Sequence, residues 1–165
     1  MKKWMIGLLA GLVQTAAYAA ESALFVDEIL TISDAIVMEG DTPRYYRDVQ
    51  LEIGAHGDFK VIDGVEKQLA YIEEVSVAVL ETDPVQVELD IVGYMSNPCV
   101  ELNTAVTRKE NTFYVAIGET VLQTLVACAQ VVEPFDITLP LDVKGLPAGD
   151  YEVLVNDKSV EFTLN

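Results

Sequence analysis

Between Phe135 and Val143 apolar and polar residues alternate without a break: Phe135, Ile137, Leu139, Leu141 and Val143 interleave with Asp136, Thr138, Pro140 and Asp142. Successive side chains of an extended chain point to opposite faces, so this pattern specifies a strand with one face in a core and the other in water. The same alternation recurs in Val85, Val87, Leu89 and Ile91, in Phe113, Val115 and Ile117, and in Val49, Leu51 and Ile53. Shorter versions occur at Phe59 and Val61 and at Val75, Val77 and Val79. No segment sustains a helical stripe. The best helical candidates are Glu66 to Glu73 and Val121 to Ala129, the second rich in β-branched residues that disfavour helix.

Turn chemistry separates these runs. Gly54-Ala55-His56-Gly57-Asp58 and Asn156-Asp157-Lys158 each stand between two alternating segments, as hairpin turns require. Strands spaced about ten residues apart and joined by such turns predict an all-β chain built from antiparallel sheets, a sandwich or a barrel. Pro140 cannot donate to a ladder, which places its strand at a sheet edge or at a bend. A soft boundary is expected at Asp63-Gly64. Residues 20–65 read as a β-meander with strands at Ile29–Ile32, Ile36–Met38, Tyr45–Ile53 and Asp58–Ile62, and residues 66–165 supply about seven more strands and both cysteines. Some forty residues rarely hold a core alone, so the meander is expected to pack on the larger domain.

Residues 1–19 combine Lys2 and Lys3, an apolar run from Trp4 to Val13, and Ala17-Tyr18-Ala19. This is the pattern of a cleaved export signal, and its apolar run is too short to span a bilayer. No second apolar run follows, so no membrane span is expected in the mature chain, and the expected location is periplasmic or secreted. In an oxidising compartment Cys99 and Cys128 most simply form one disulfide, closing a loop of about 30 residues and contributing about 3–4 kcal/mol in the chain-entropy model. There is no C-x-x-C, and the single histidine, His56, cannot complete a four-ligand zinc site.

The stretch Gly145-Leu146-Pro147-Ala148-Gly149-Asp150-Tyr151-Glu152-Val153 resembles the segment that opens a late strand in many bacterial immunoglobulin-like β-sandwiches. The resemblance implies an antiparallel immunoglobulin-like β-sandwich preceded by the β-meander, with Tyr151 in the core and its hydroxyl folded back on a nearby loop. The wider segment from Cys99 to Leu164 is similar to the C-terminal part of exported bacterial proteins, and residues 28–62 to a short meander found in others. Neither likeness implies an activity.

Charge and motif content narrow the functional classes. Ten Lys and Arg stand against 27 Asp and Glu, a net charge of -17, and no basic patch reverses it, which excludes nucleic acid as a partner. His56 lies in a Gly-flanked turn where packing cannot orient an imidazole base, and no Gly-x-Ser-x-Gly elbow occurs. The acid pairs Asp27-Glu28, Glu73-Glu74 and Glu88/Asp90 read as solvated strand faces. Asp142, Asp150 and Asp157 near turns are the first candidates for calcium ligands, but the D-x-[DN]-x-[DN]-G loop is missing. No metal and no cofactor is therefore expected. The reading is a non-catalytic binding or structural module with a protein or polysaccharide partner. The alternative is an inhibitor of a secreted hydrolase acting through an apolar surface loop between Cys99 and Cys128; against it, Leu122, Leu125 and Val126 of that segment are expected in the core. If His56 is a solvated turn residue, His56→Ala should move unfolding stability by less than about 0.5 kcal/mol in denaturant melts. A larger loss would show that the turn is built around the imidazole.

Overall fold

The computed structural model describes residues 23–39, 42–122 and 127–165. The export signal read at residues 1–19 lies outside them. Among the described residues eleven strands follow one another: β1 (Leu24–Val26), β2 (Ile29–Glu39), β3 (Thr42–Ile53), β4 (Phe59–Leu69), β5 (Tyr71–Leu80), β6 (Gln86–Met95), β7 (Val100–Lys109), β8 (Thr112–Val121), β9 (Glu133–Leu141), β10 (Gly149–Val155) and β11 (Lys158–Leu164). There is no helix among the described residues, and so none that is long and apolar enough to cross a membrane.

The alternating segments become the core. Three strands form one sheet in the order β5-β6-β9, and eight form the other, in which β1-β2-β3-β4-β8-β10-β11 run side by side and β7 pairs with the opposite edge of β8. Ile72, Leu89, Ile91 and Phe135 of the small sheet pack on Val115, Ile117, Val153 and Phe162 of the large one. β9 carries Pro140 and among the described residues pairs only with β6, so the proline sits on an edge strand as its missing donor demands. Tyr151 is buried, and its hydroxyl donates to the Pro147 carbonyl at 2.8 Å, tying the loop before β10 to the core.

The large sheet is mixed, which departs from the all-antiparallel expectation. Residues Glu152–Val155 of β10 run parallel to Thr112–Val115 of β8, while Gln68 and Leu69 of β4 pair antiparallel with Glu119 and Gly118 further along the same edge. Ala70 then carries the chain out of the large sheet and into β5 of the small one. The segment Glu66–Glu73, a helical candidate by composition, is thus the end of β4 and the start of β5, because pairing with β3, β8 and β6 outweighs a weak helical preference. In the second helical candidate, Val121 ends β8 and residues 127–129 are not helical; residues 123–126, with Leu125 and Val126, lie outside the described residues. Leu122 is not in the core: it is 39% exposed.

The meander differs from its expected form in two places. β2 is one continuous strand where two were expected, and Asp34, between the two expected segments, has partners inside the protein. Asp34 accepts a hydrogen bond from the Tyr45 hydroxyl and pairs with Arg47 Nε at 3.4 Å. The break expected at Asp63-Gly64 is internal to β4. Gly64 lies against Val49, where the β3–β4 register shifts at the left-handed Asp48, so the glycine marks an irregularity in a strand and not a linker.

The meander covers β8 from outside. Burial along β8 changes from alternating at Phe113 to continuous through Val115–Glu119, since Ala116 and Gly118 face a second layer. A Cβ on Gly118 would stand 2.4 Å from the Tyr45 ring, so only glycine lets this fully buried tyrosine lie on the strand. Arg47 donates to Asn103 Oδ1 of β7 at 2.7 Å, and Thr120 shares the same acceptor at 3.0 Å. Burial and the Asp34 carboxylate push the Tyr45 hydroxyl pKa well above the ordinary tyrosine value of 10.0. Ionisation above that value therefore favours the unfolded chain. Stability should fall as pH rises beyond about 10, and Tyr45→Phe, at a fixed loss of about 1 kcal/mol for the hydrogen bond, should flatten that fall. Denaturant melts of both proteins between neutral and strongly alkaline pH measure it; equal slopes would contradict the assignment.

Candidate functional site

The Tyr45 contact ties the meander to β8, and the start of β3 contributes Thr42 and Pro43 to a groove at one end of the sandwich. The groove has a volume of about 550 Å³ and opens where the chain crosses between sheets at Ala70. Its walls are mainly apolar: Leu69, Tyr71, Tyr94, Met95 and Val132. Tyr71 and Val132 are 62% and 67% exposed, and the Tyr71 and Tyr94 rings stand 6.2 Å apart, tilted by 35°. Gly93 brings these walls together, because a Cβ there would strike both the Tyr71 carbonyl and the Phe135 ring. A hydrogen bond to Glu73 and the charge of that carboxylate raise the Tyr94 hydroxyl pKa.

Two buried polar residues line the groove. Glu119 is 7% exposed and occupies the inward register of Phe113, Val115 and Ile117 on β8. Its two oxygens accept from the Ser96 backbone N–H at 2.7 Å and the Ser96 hydroxyl at 2.5 Å, both charge-assisted bonds that hold a carboxylate in one orientation. Asn156, with a left-handed φ of 50°, occupies the β10–β11 turn and fills the gap between β10 and β4 along β8. Its backbone N–H donates to Val115 O at 3.0 Å. Its side-chain Oδ1 accepts from Ile117 N at 2.9 Å, and Nδ2 donates to Ala70 O at 2.8 Å and Ile117 O at 3.1 Å. The amide thus completes the ladder along β8 between β10 and Ala70, whose N–H also donates to the Ile117 carbonyl at 2.9 Å.

Cys99 and Cys128 are bonded, with Cα atoms 6.0 Å apart, and tie the segment leading to Val132 to the start of β7. Asn97 supports the tie by accepting from the Cys99 N–H at 2.9 Å. The other residues considered from sequence are dispersed. His56 is exposed in the turn between β3 and β4, and Asp27 and Glu28 form the turn between β1 and β2 with left-handed backbones. Asp90 accepts from Thr138 on the solvent face of the small sheet at 2.8 Å. Asp142 accepts from the Lys144 N–H and Asp150 from the Thr163 hydroxyl, while Asp157 is at the groove rim. Among the described residues no three acidic, histidine or cysteine side chains gather as a metal site.

The groove residues Glu119, Tyr71, Tyr94 and Ser96 were not among the sequence candidates. The signal available for Glu119 was a charge at an inward position of an alternating strand, where an apolar residue is the rule.

A family model described as the ORF11 beta-sandwich domain matches residues 89–164, from within β6 to the end of β11. The C-terminal part of the chain is thus similar to a known β-sandwich domain, while β1 to β5 fall outside the match. No curated protein and no solved structure matches the chain.

Because the Asn156 amide is the partner of Ile117 N and Ala70 O in a buried gap, and a second donor to an Ile117 carbonyl that Ala70 N also reaches, Asn156→Gly, which keeps the left-handed turn accessible, should still cost about 2 kcal/mol. Asp157→Ala in the same turn should be nearly neutral. Equilibrium denaturation of the two variants distinguishes an amide that holds three strands from a turn that needs only its backbone shape.

Proposed function

We propose that the protein is an exported, non-catalytic binding module of the bacterial envelope or medium, and that the groove between Tyr71, Tyr94 and Glu119 is its ligand site. The observation that carries this reading is the pairing of exposed aromatic and apolar walls with one buried, fixed carboxylate. A few placed polar groups in an apolar recess are the usual make-up of a binding site. Both Glu119 oxygens are held by Ser96, which suits a stationary acceptor better than a group that must pick up and release protons.

The Cys99–Cys128 bond is consistent with an oxidising location, and the Tyr151 hydroxyl on Pro147 supports an immunoglobulin-like variety of sandwich. A second reading, an inhibitor of a secreted hydrolase, draws on the exposed Val121, Leu122 and Val131 at the disulfide-tied end. These residues form an apolar surface held by a covalent bond.

Affinity capture with tagged protein compares the readings. Tyr71→Ala with Val132→Asp alters only exposed groove side chains and should abolish recovery of the specific partner while the thermal midpoint stays within a few degrees, as expected of surface changes. Leu122→Asp alone should leave recovery unchanged. The opposite outcome would transfer the binding role to the disulfide-tied surface, and unchanged recovery with both proteins would remove the groove from the function.

A further inference from the structure

Given the groove as ligand site, the chemistry of its floor identifies what enters it. We infer that the groove receives the cationic side chain of an arginine or lysine presented by a protein partner. Glu119 carries a carboxylate into a nearly buried position, and no Lys, Arg or His among the described residues forms an ion pair with it. The Ser96 donors occupy one site on each oxygen and leave the remaining lone pairs for further donors. A carboxylate in this position is satisfied by hydrogen bonds yet not neutralised by charge, and an incoming cation completes it.

The walls match the rest of such a side chain. Tyr71, Tyr94, Met95 and Val132 offer apolar and aromatic surface above the carboxylate, against which the methylene stem of lysine or the stem and guanidinium plane of arginine can lie. Asp157 at the rim adds a second negative charge at the entrance. The net charge of -17 draws basic partners from a distance and makes anionic ones unfavourable. A neutral sugar could stack on the two tyrosines, but it would gain little from a buried charge at the floor, so the carboxylate favours the basic side chain.

The test is an NMR titration of the 15N-labelled protein with three capped tripeptides, Gly-Arg-Gly, Gly-Lys-Gly and Gly-citrulline-Gly, and with a neutral oligosaccharide. Saturable shifts of the Ser96, Glu119 and Asn156 amides with the arginine or lysine peptide, and not with its uncharged citrulline counterpart, are expected. Glu119→Gln should weaken this binding roughly tenfold or more, the loss expected for one charge-assisted contact. Tyr71→Ala, an exposed change that leaves the fold intact even if Glu119→Gln does not, should weaken it several-fold, about the worth of an exposed cation–π contact. Shifts scattered over the acidic surface, insensitive to either variant, would overturn the inference in favour of unspecific attraction. Equal binding of the citrulline peptide or the oligosaccharide at the same amides would overturn the cationic ligand while leaving the groove as the binding site. Loss of the groove itself would instead appear in the capture comparison, where Tyr71→Ala with Val132→Asp would have no effect.

Discussion

One side-chain amide stands where three strands would otherwise leave a hole. β8 pairs with β10 along its first half and with β4 near its end, and between these two ladders, at Ile117, the only backbone donor that reaches in among the described residues is the Ala70 N–H, at 2.9 Å from the Ile117 carbonyl. Asn156 fills the interval by donating to Ala70 and Ile117 and accepting from Ile117. Unpaired backbone groups at a buried site each carry a penalty of about 1–3 kcal/mol, so a gap of this kind persists only when something satisfies it. The left-handed backbone at Asn156 serves the same end, since asparagine is among the few residues that adopt it readily while offering both a donor and an acceptor.

That junction lets the chain do two things at once. Leaving the large sheet at Ala70, it enters the small one and closes one end of the sandwich, while β4 turns back so that the meander lies over the outer face of β8. Small residues make the second arrangement possible: Ala116 and Gly118 leave room for Tyr45, and the polar contacts of Asp34, Arg47 and Asn103 lock the layers in register. The groove is a by-product of the same geometry. Where the two sheets diverge at the crossing, the space between them is no longer filled by core side chains, and Glu119 stands at the point where the apolar inward series on β8 gives out.

How legible the candidate site was follows from what each residue contacts. Cys99 and Cys128 were readable because only two thiols exist and their pairing needs no knowledge of the fold. Tyr151 was readable through the likeness of Gly145–Val153 to a segment that opens a late strand in β-sandwiches, and it is buried beside Phe113 and Phe162. Glu119 was marked in the sequence only as a charge two residues past Ile117 in the inward register, and the partners that make that position a buried groove, Ser96 and Tyr94, lie on another strand and loop. Tyr71 and Tyr94 are distant in sequence and meet because β5 and β6 pair in a register that sets them opposite each other.

The sequence alone determined that this chain is all-β, that its inward residues alternate along β6, β8 and β9, that Pro140 belongs at an edge or a bend, and that the two cysteines bond. Each of these is a local rule: side-chain period, a missing donor, a count of thiols. Only the tertiary structure decided that β10 runs parallel to β8, that Glu66–Glu73 crosses between sheets instead of coiling, that β2 is unbroken, and that Asn156 is a structural keystone and not merely a turn residue. These depend on which backbone donors and acceptors meet across long stretches of chain. Ala70, Ile117 and Asn156 carry no mark of one another in the sequence, and their bonds exist only once three separate strands have converged.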